Sequence, residues 1–178
     1  GALFISSDPA TLKMGTNYIF TNNQAINNGG SIYLTNAGIE FNDFSFDDES
    51  RSSAGNNGGF VYAGDSITFY SVDIDCSNTK AGRNGGFGYA EGNITVGSGS
   101  KLYSNSRTQN AGSYGGGLYS EGETTINQNT ELYGFKAKSG GAVYSKGALT
   151  ITSSDIHDNS VSGIDDTQQG GGAVYGAG

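Results

Sequence analysis

One string recurs down the whole chain: Gly-Gly-x-Φ-Tyr, with Φ usually aliphatic. It reads Gly29-Gly30-Ser31-Ile32-Tyr33, Gly58-Gly59-Phe60-Val61-Tyr62, Gly85-Gly86-Phe87-Gly88-Tyr89, Gly115-Gly116-Gly117-Leu118-Tyr119, Gly140-Gly141-Ala142-Val143-Tyr144 and Gly171-Gly172-Ala173-Val174-Tyr175. Gly1-Ala2-Leu3-Phe4 is the same motif without its first glycine. The aromatic position falls at 4, 33, 62, 89, 119, 144 and 175, at intervals of 29, 29, 27, 30, 25 and 31 residues. A motif fixed at such a period marks a repeat architecture, with the variable lengths taken up by loops.

The repeat accounts for much of the composition. Thirteen of the 31 glycines in 178 residues lie in this motif. A single proline excludes collagen, and 11 Tyr with 9 Phe exclude a flexible Gly/Ser linker. What remains is a fold of many tight turns, where glycine adopts backbone conformations that other residues avoid.

Each repeat carries two further alternating segments. The second is Leu12-Lys13-Met14, Ile39-Glu40-Phe41, Ile67-Thr68-Phe69, Ile94-Thr95-Val96, Thr124-Thr125-Ile126 and Leu149-Thr150-Ile151. The third runs through Tyr18-Ile19-Phe20, Phe44-Ser45-Phe46, Val72-Asp73-Ile74, Ser100-Lys101-Leu102, Thr130-Glu131-Leu132 and Ser154-Asp155-Ile156. Apolar residues at every second position, bounded by Asn, Gly and Ser clusters, predict short half-buried strands, and no window has sustained helical periodicity. The expectation is an all-β fold: a right-handed single-stranded parallel β-helix, or solenoid, of about six coils of 25–31 residues with three short strands per coil. Residues 1–178 would form one domain. A β-propeller needs about four strands in a repeat of roughly 40 residues and does not fit.

Strand alternation sorts the columns. The aliphatic column Leu3, Ile32, Val61, Gly88, Leu118, Val143 and Val174 is expected inside. Phe4, Tyr33, Tyr62, Tyr89, Tyr119, Tyr144 and Tyr175 then form an external aromatic ladder, one ring per coil. The opposite register would crowd seven aromatics into a narrow core. Such a ladder either stabilises adjacent coils by cross-strand stacking or offers a binding platform for sugars or a neighbouring surface.

The pairing of Gly-Gly-Ala-Φ with a downstream Phe-x-x-Asn resembles the repeats of chlamydial polymorphic outer-membrane proteins. Gly141-Ala142-Val143 and Gly172-Ala173-Val174 match the first motif, and Phe20-Thr21-Asn22-Asn23 the second. Leu102-Tyr103-Ser104-Asn105 and Ile156-His157-Asp158-Asn159 are looser copies, while Ser31-Ile32, Phe60-Val61 and Phe87-Gly88 depart from the small residue and Phe46-Asp47-Asp48-Glu49 from the Asn. The resemblance implies an exported β-helix at a cell surface with an adhesive or structural role.

Other chemistry is thinly represented. Glycoside hydrolysis needs two carboxylates held several Å apart. Asp47, Asp48, Asp73, Asp75, Asp155 and Asp158 lie on or just after the third segment of different coils, and Asp73 and Asp155 share an outward column with Ser45, Lys101 and Glu131. Asp165-Asp166 sits in a loop. Arg51, Arg83 and Arg107, candidates for lyase chemistry, fall between coils, so no enzyme activity is expected. His157 and Cys76 are single residues of structural character. Asp47-Asp48-Glu49 is read as solvated acidity rather than a calcium site, and no metal or cofactor is expected. Thr68, Thr95, Thr125 and Thr150 align in one outward column, interrupted at its start by Lys13 and Glu40, which argues against an ice-binding array. Asn93-Ile94-Thr95 is the one N-glycosylation sequon, at the start of a strand.

With 17 Asp and Glu against 9 Lys and Arg, the net charge is −8, unsuited to nucleic acid. No apolar run approaches the roughly 20 residues of a membrane helix. The polar, charge-poor composition suits an extracellular or cell-surface location. The chain both begins and ends inside the repeated motif, so an uncapped segment of a longer chain or filament is expected, with copies of itself stacking head to tail and glycans as a second class of partner.

Overall fold

A computed structural model describes residues 1–6, 10–16, 18–46, 51–106, 108, 110–162 and 170–178, with only the backbone of Phe46 described. The described elements are all β. The Gly-Gly-x-Φ-Tyr motifs build a first sheet of seven parallel strands: Leu3–Ile5, Ile32–Leu34, Val61–Ala63, Gly88–Ala90, Leu118–Ser120, Val143–Ser145 and Val174–Gly176. Their register is unbroken, Leu3 to Ile32 to Val61 to Gly88 to Leu118 to Val143 to Val174. A second sheet stacks Thr11–Met14, Gly38–Asn42, Ile67–Tyr70, Ile94–Val96, Thr124–Ile126 and Leu149–Ile151. A third stacks Ser45–Phe46, Asp73–Asp75, Lys101–Tyr103, Glu131–Tyr133 and Asp155–His157. Every strand pair is parallel and joins one coil to the next, which makes the chain a parallel β-solenoid of about six turns.

The coil differs from expectation in two places. A fourth strand stands between the third sheet and the Gly-Gly pair: Asn23–Ala25, Ser52–Ala54 and Thr79–Ala81 form one sheet, and Lys136–Ala137 pairs with Ser160–Val161. The bridge from Ala81 to Ala111 and the bond from Asn110 N to Lys136 O carry the stack between them. Three strands per coil therefore becomes four in most coils. Alternation in these strands buries Ala54, Ala81 or Ala137, with the polar Ser52 and Thr79 as the other inward residues, so they carry little hydrophobic signal. Conversely, Tyr18-Ile19-Phe20 is no strand. Phe20 packs against the core, but Tyr18 and Ile19 are exposed, and among the described residues no third-sheet strand of the first coil pairs with Ser45–Phe46.

The core is a continuous axial column. The aliphatic column of the first sheet faces it, with Ile32, Val61 and Val143 fully buried. The second sheet contributes Ile39, Ile67 and Ile94 together with Phe41, Phe69, Val96 and Ile126. Phe60 and Phe87, at the variable position of the motif, are fully buried and stack at 4.9 Å between centroids, as Phe41 and Phe69 do at 5.3 Å. Each such phenyl stabilises the fold by about 1.5–3 kcal/mol through burial alone. Towards the C-terminal coils the third position of the first-sheet strand changes from Leu34 through Ala63 and Ala90 to Ser120 and Ser145. The two serine hydroxyls donate to backbone carbonyls of Gly92 and Gly122 in the coil before, so both are buried with a partner.

The two glycines of each pair do different work. Gly85 has φ +65°, the left-handed region that turns the chain into the strand. At Gly86 the constraint is space: a Cβ there would overlap the carbonyl oxygen of Gly116 and lie 2.7 Å from Asn110 Cβ. A second corner, between the second and third sheets, recurs with positive φ at Asp43, Ser71, Gly99, Asn129 and Ser153. Asn, Asp and Gly are the residues that most readily adopt this conformation.

Candidate functional site

The aromatic column of the first sheet points away from the core and forms its own cluster. Seven rings stack without a gap: Phe4 on Tyr33 at 5.6 Å, then 5.0, 4.9, 4.9, 5.3 and 4.7 Å through Tyr62, Tyr89, Tyr119, Tyr144 and Tyr175. The central planes are within about 6° of parallel. This spacing is the rise between strands, so in-register pairing stacks the rings automatically.

The ladder is less available than its sequence suggested. Tyr62, Tyr89 and Tyr119 are only 8%, 7% and 2% exposed, although they lie outside the core. Each ring covers the faces of its neighbours, and Tyr114 packs against Tyr119 and Tyr144 from the adjoining turn. Within the stack the faces that a sugar would use are thereby covered; the end rings Phe4, 65% exposed, and Tyr175 each have a ladder neighbour on one face only.

The ring hydroxyls are also engaged. Two residues beyond the tyrosine, the next outward column holds Glu91, Glu121 and Lys146. Tyr62 donates to Glu91, and Tyr89 donates to Glu121 Oε1 at 2.6 Å, which also accepts from Tyr119 at 3.2 Å. Lys146 Nζ lies 2.5 Å from Glu121 Oε2. Burial, then the neighbouring Glu121 charge, pushes the Tyr119 hydroxyl up to about 12. Tyr62 and Tyr89 are raised as well, by burial first and then by their glutamate partners. Burial alone would raise Glu121, but the contacts from Lys146, Tyr89 and Tyr119 outweigh it and hold the carboxyl below its ordinary value.

A second external stack escaped the sequence reading. Tyr103, Tyr133 and His157 share a column of the third sheet and stack at 5.2 and 4.9 Å. Lys101 lies over both tyrosine rings and pairs with Glu131 at 3.3 Å. The signal was present, since each follows the apolar third-strand residue directly, as in Leu102-Tyr103, Leu132-Tyr133 and Ile156-His157.

The carboxylate column is interrupted, as its sequence predicts: Ser45, Asp73, Lys101, Glu131 and Asp155 are aligned. Asp75 closes a local turn by accepting from the backbone N and the hydroxyl of Ser77. His157 Nδ1–H donates to Asp158 Oδ2 at 2.8 Å. Among the described residues no three His, Cys, Asp or Glu side chains are grouped to hold a metal ion. Asp47-Asp48-Glu49, Asp165-Asp166 and Arg107 lie outside the described residues. Cys76 is fully buried, and desolvation raises its thiol well above the ordinary range. Thr68, Thr95, Thr125 and Thr150 do align on the outer face of the second sheet, and Lys13 pairs with Glu40 below them at 3.4 Å. Asn93 is exposed, but its Oδ1 accepts the backbone N–H of Glu123 at 2.8 Å and so ties two coils together.

Comparison of the chain with protein-family models, curated proteins and solved structures finds no match.

Proposed function

We propose that this chain is a structural β-solenoid of an extracellular or cell-surface protein, a rod-like segment of a filament or adhesin. One observation carries this reading: in-register parallel pairing and the aromatic stack run from coil to coil along the whole first sheet, from Leu3–Ile5 to Val174–Gly176. Coils of this kind extend a rod without any new chemistry, either along one chain or between stacked copies.

The polar, acidic surface supports exposure to an aqueous exterior, and the Gly-Gly-Ala-Φ strings at Gly141-Ala142-Val143 and Gly172-Ala173-Val174 support kinship with chlamydial polymorphic outer-membrane repeats. A glycan platform on the aromatic ladder has less support, because stacking covers the ring faces. Electron microscopy of the native material tests the reading. Thin rods whose axial repeat is the roughly 4.8 Å coil spacing are expected. Compact, discrete particles with no rod would refute it.

A further inference from the structure

Charge is unevenly distributed around the coil. Among the described residues, Lys13, Lys101 and Lys146 each pair with a glutamate, at 3.4, 3.3 and 2.5 Å. The other described cations, Arg51, Lys80, Arg83, Lys136 and Lys138, all fall on the fourth-strand side of the coil. Lys80 and Lys136 sit on the strands Thr79–Ala81 and Lys136–Ala137, and Arg51 immediately precedes Ser52–Ala54.

Arg83 and Lys138 belong to the turn leading from these strands to the Gly-Gly pairs. There Asn27, Asn56, Arg83, Ser113 and Lys138 are joined coil to coil by backbone hydrogen bonds. No described Asp or Glu lies on these strands or in this turn column. Arg51, Lys80, Arg83 and Lys138 are exposed and form no ion pair with a described carboxylate. Among the described residues, a chain of net charge −8 thus gathers these cations on one side of the coil.

This side of the coil carries a surface concavity lined by Asn22, Asn23, Gln24, Arg51, Ser53 and Asn78. Amides and hydroxyls both donate and accept hydrogen bonds, which suits a ligand rich in hydroxyl groups. The outward positions of the fourth strands and the turn column hold no aromatic side chain on which a nucleobase could stack. Cations on the second, third and fifth coils, separated by about one and two coil rises, match a long, linear ligand carrying repeated negative charge.

We propose that this face binds an anionic polysaccharide, carboxylated or sulfated, lying along the rod. The site is separate from the aromatic ladder, and it stands whether or not the rod belongs to a filament.

Binding of the whole chain to heparin, polygalacturonate, neutral dextran and duplex DNA tests this. One or both acidic polysaccharides should bind saturably and weaken with added salt, while dextran and DNA bind less. The relative affinity for heparin and polygalacturonate separates sulfate from carboxylate recognition. The triple variant Lys80→Ser/Arg83→Ser/Lys138→Ser should keep its unfolding midpoint and lose roughly tenfold or more in affinity. Lys13→Ser, which removes one charge elsewhere, should bind as before.

Absence of saturable binding to both polysaccharides, unchanged affinity in the triple variant, or equally tight DNA binding would overturn the proposal. Self-association that disappears in the triple variant, without polysaccharide binding, would instead assign the face to a second copy of the chain.

Discussion

The first-sheet and fourth-strand faces both point away from the same core, yet one is closed and the other open. On the first, Tyr62, Tyr89 and Tyr119 cover one another, and their hydroxyls, Glu91, Glu121 and Lys146 satisfy one another across coils. On the second, Lys80, Arg83 and Lys138 stand exposed with no described carboxylate as partner. In a solenoid, an outward side chain with a matching neighbour one coil away becomes part of the fold. One without such a neighbour is left for something else. Position on the coil's outside therefore says little about availability, and the identity of the next rung says a great deal.

The largest effect should come at the corner both faces share. Gly86→Ala forces a Cβ against the Gly116 carbonyl and Asn110, in backbone that joins two coils. A loss above about 4 kcal/mol, or failure to fold, is expected in denaturant unfolding. Gly88→Ala, two residues away, meets side chains rather than backbone, the ends of Ile67 and Leu118 at 3.3 Å and Val61 Cγ1 at 3.5 Å, and should stay within about 1 kcal/mol of the parent. Next comes the stack itself: Tyr119→Ser should cost about 3 kcal/mol, as truncation of a buried ring does. Tyr89→Phe keeps the ring and removes only the bond to Glu121, at a cost of about 1.5 kcal/mol.

Acid probes the same cluster. Glu121 titrates below its ordinary value of 4.5 in the folded chain, so its contribution is complete above the unfolded value and is lost as pH falls through the folded one. Urea midpoints should drop over that acidic window, and Glu121→Gln should flatten the drop. The smallest effect belongs to the open face, where Arg83→Ser should leave stability within about 0.5 kcal/mol of the parent. A substantial loss there would erase the distinction between the faces.

The coil was legible because its strongest signals are redundant. The Gly-Gly-x-Φ-Tyr string gave the first sheet, its strand-to-strand register and the split between aliphatic and aromatic columns. The second segment gave the second sheet in the same way. The fourth strand was missed because Ser52-Ser53-Ala54 and Thr79-Lys80-Ala81 bury a small hydroxyl residue and an alanine where other strands bury Ile or Phe. A subtler clue existed: Ala25, Ala54, Ala81 and Ala111 each lie four residues before the first glycine of the next pair. That omission also hid the cationic face, because Arg51 and Arg83 read as inter-coil residues until the strand beside them is seen. The closed state of the aromatic column was not legible either. It depends on Glu91, Glu121 and Tyr114, which meet Tyr62, Tyr89 and Tyr144 through neighbouring coils and the adjoining turn.

The central claim is that the aromatic column belongs to the fold and the cationic column does not. Brief nitration of tyrosine and acetylation of lysine in the folded chain, followed by peptide mass mapping, reads both columns in one sample. Tyr62, Tyr89 and Tyr119 should remain unmodified while the exposed Tyr18 and Tyr70 react, and Lys80 and Lys138 should be acetylated in the same interval. Nitration of the three central rings at the rate of Tyr18, or protection of Lys80 and Lys138, would contradict the account.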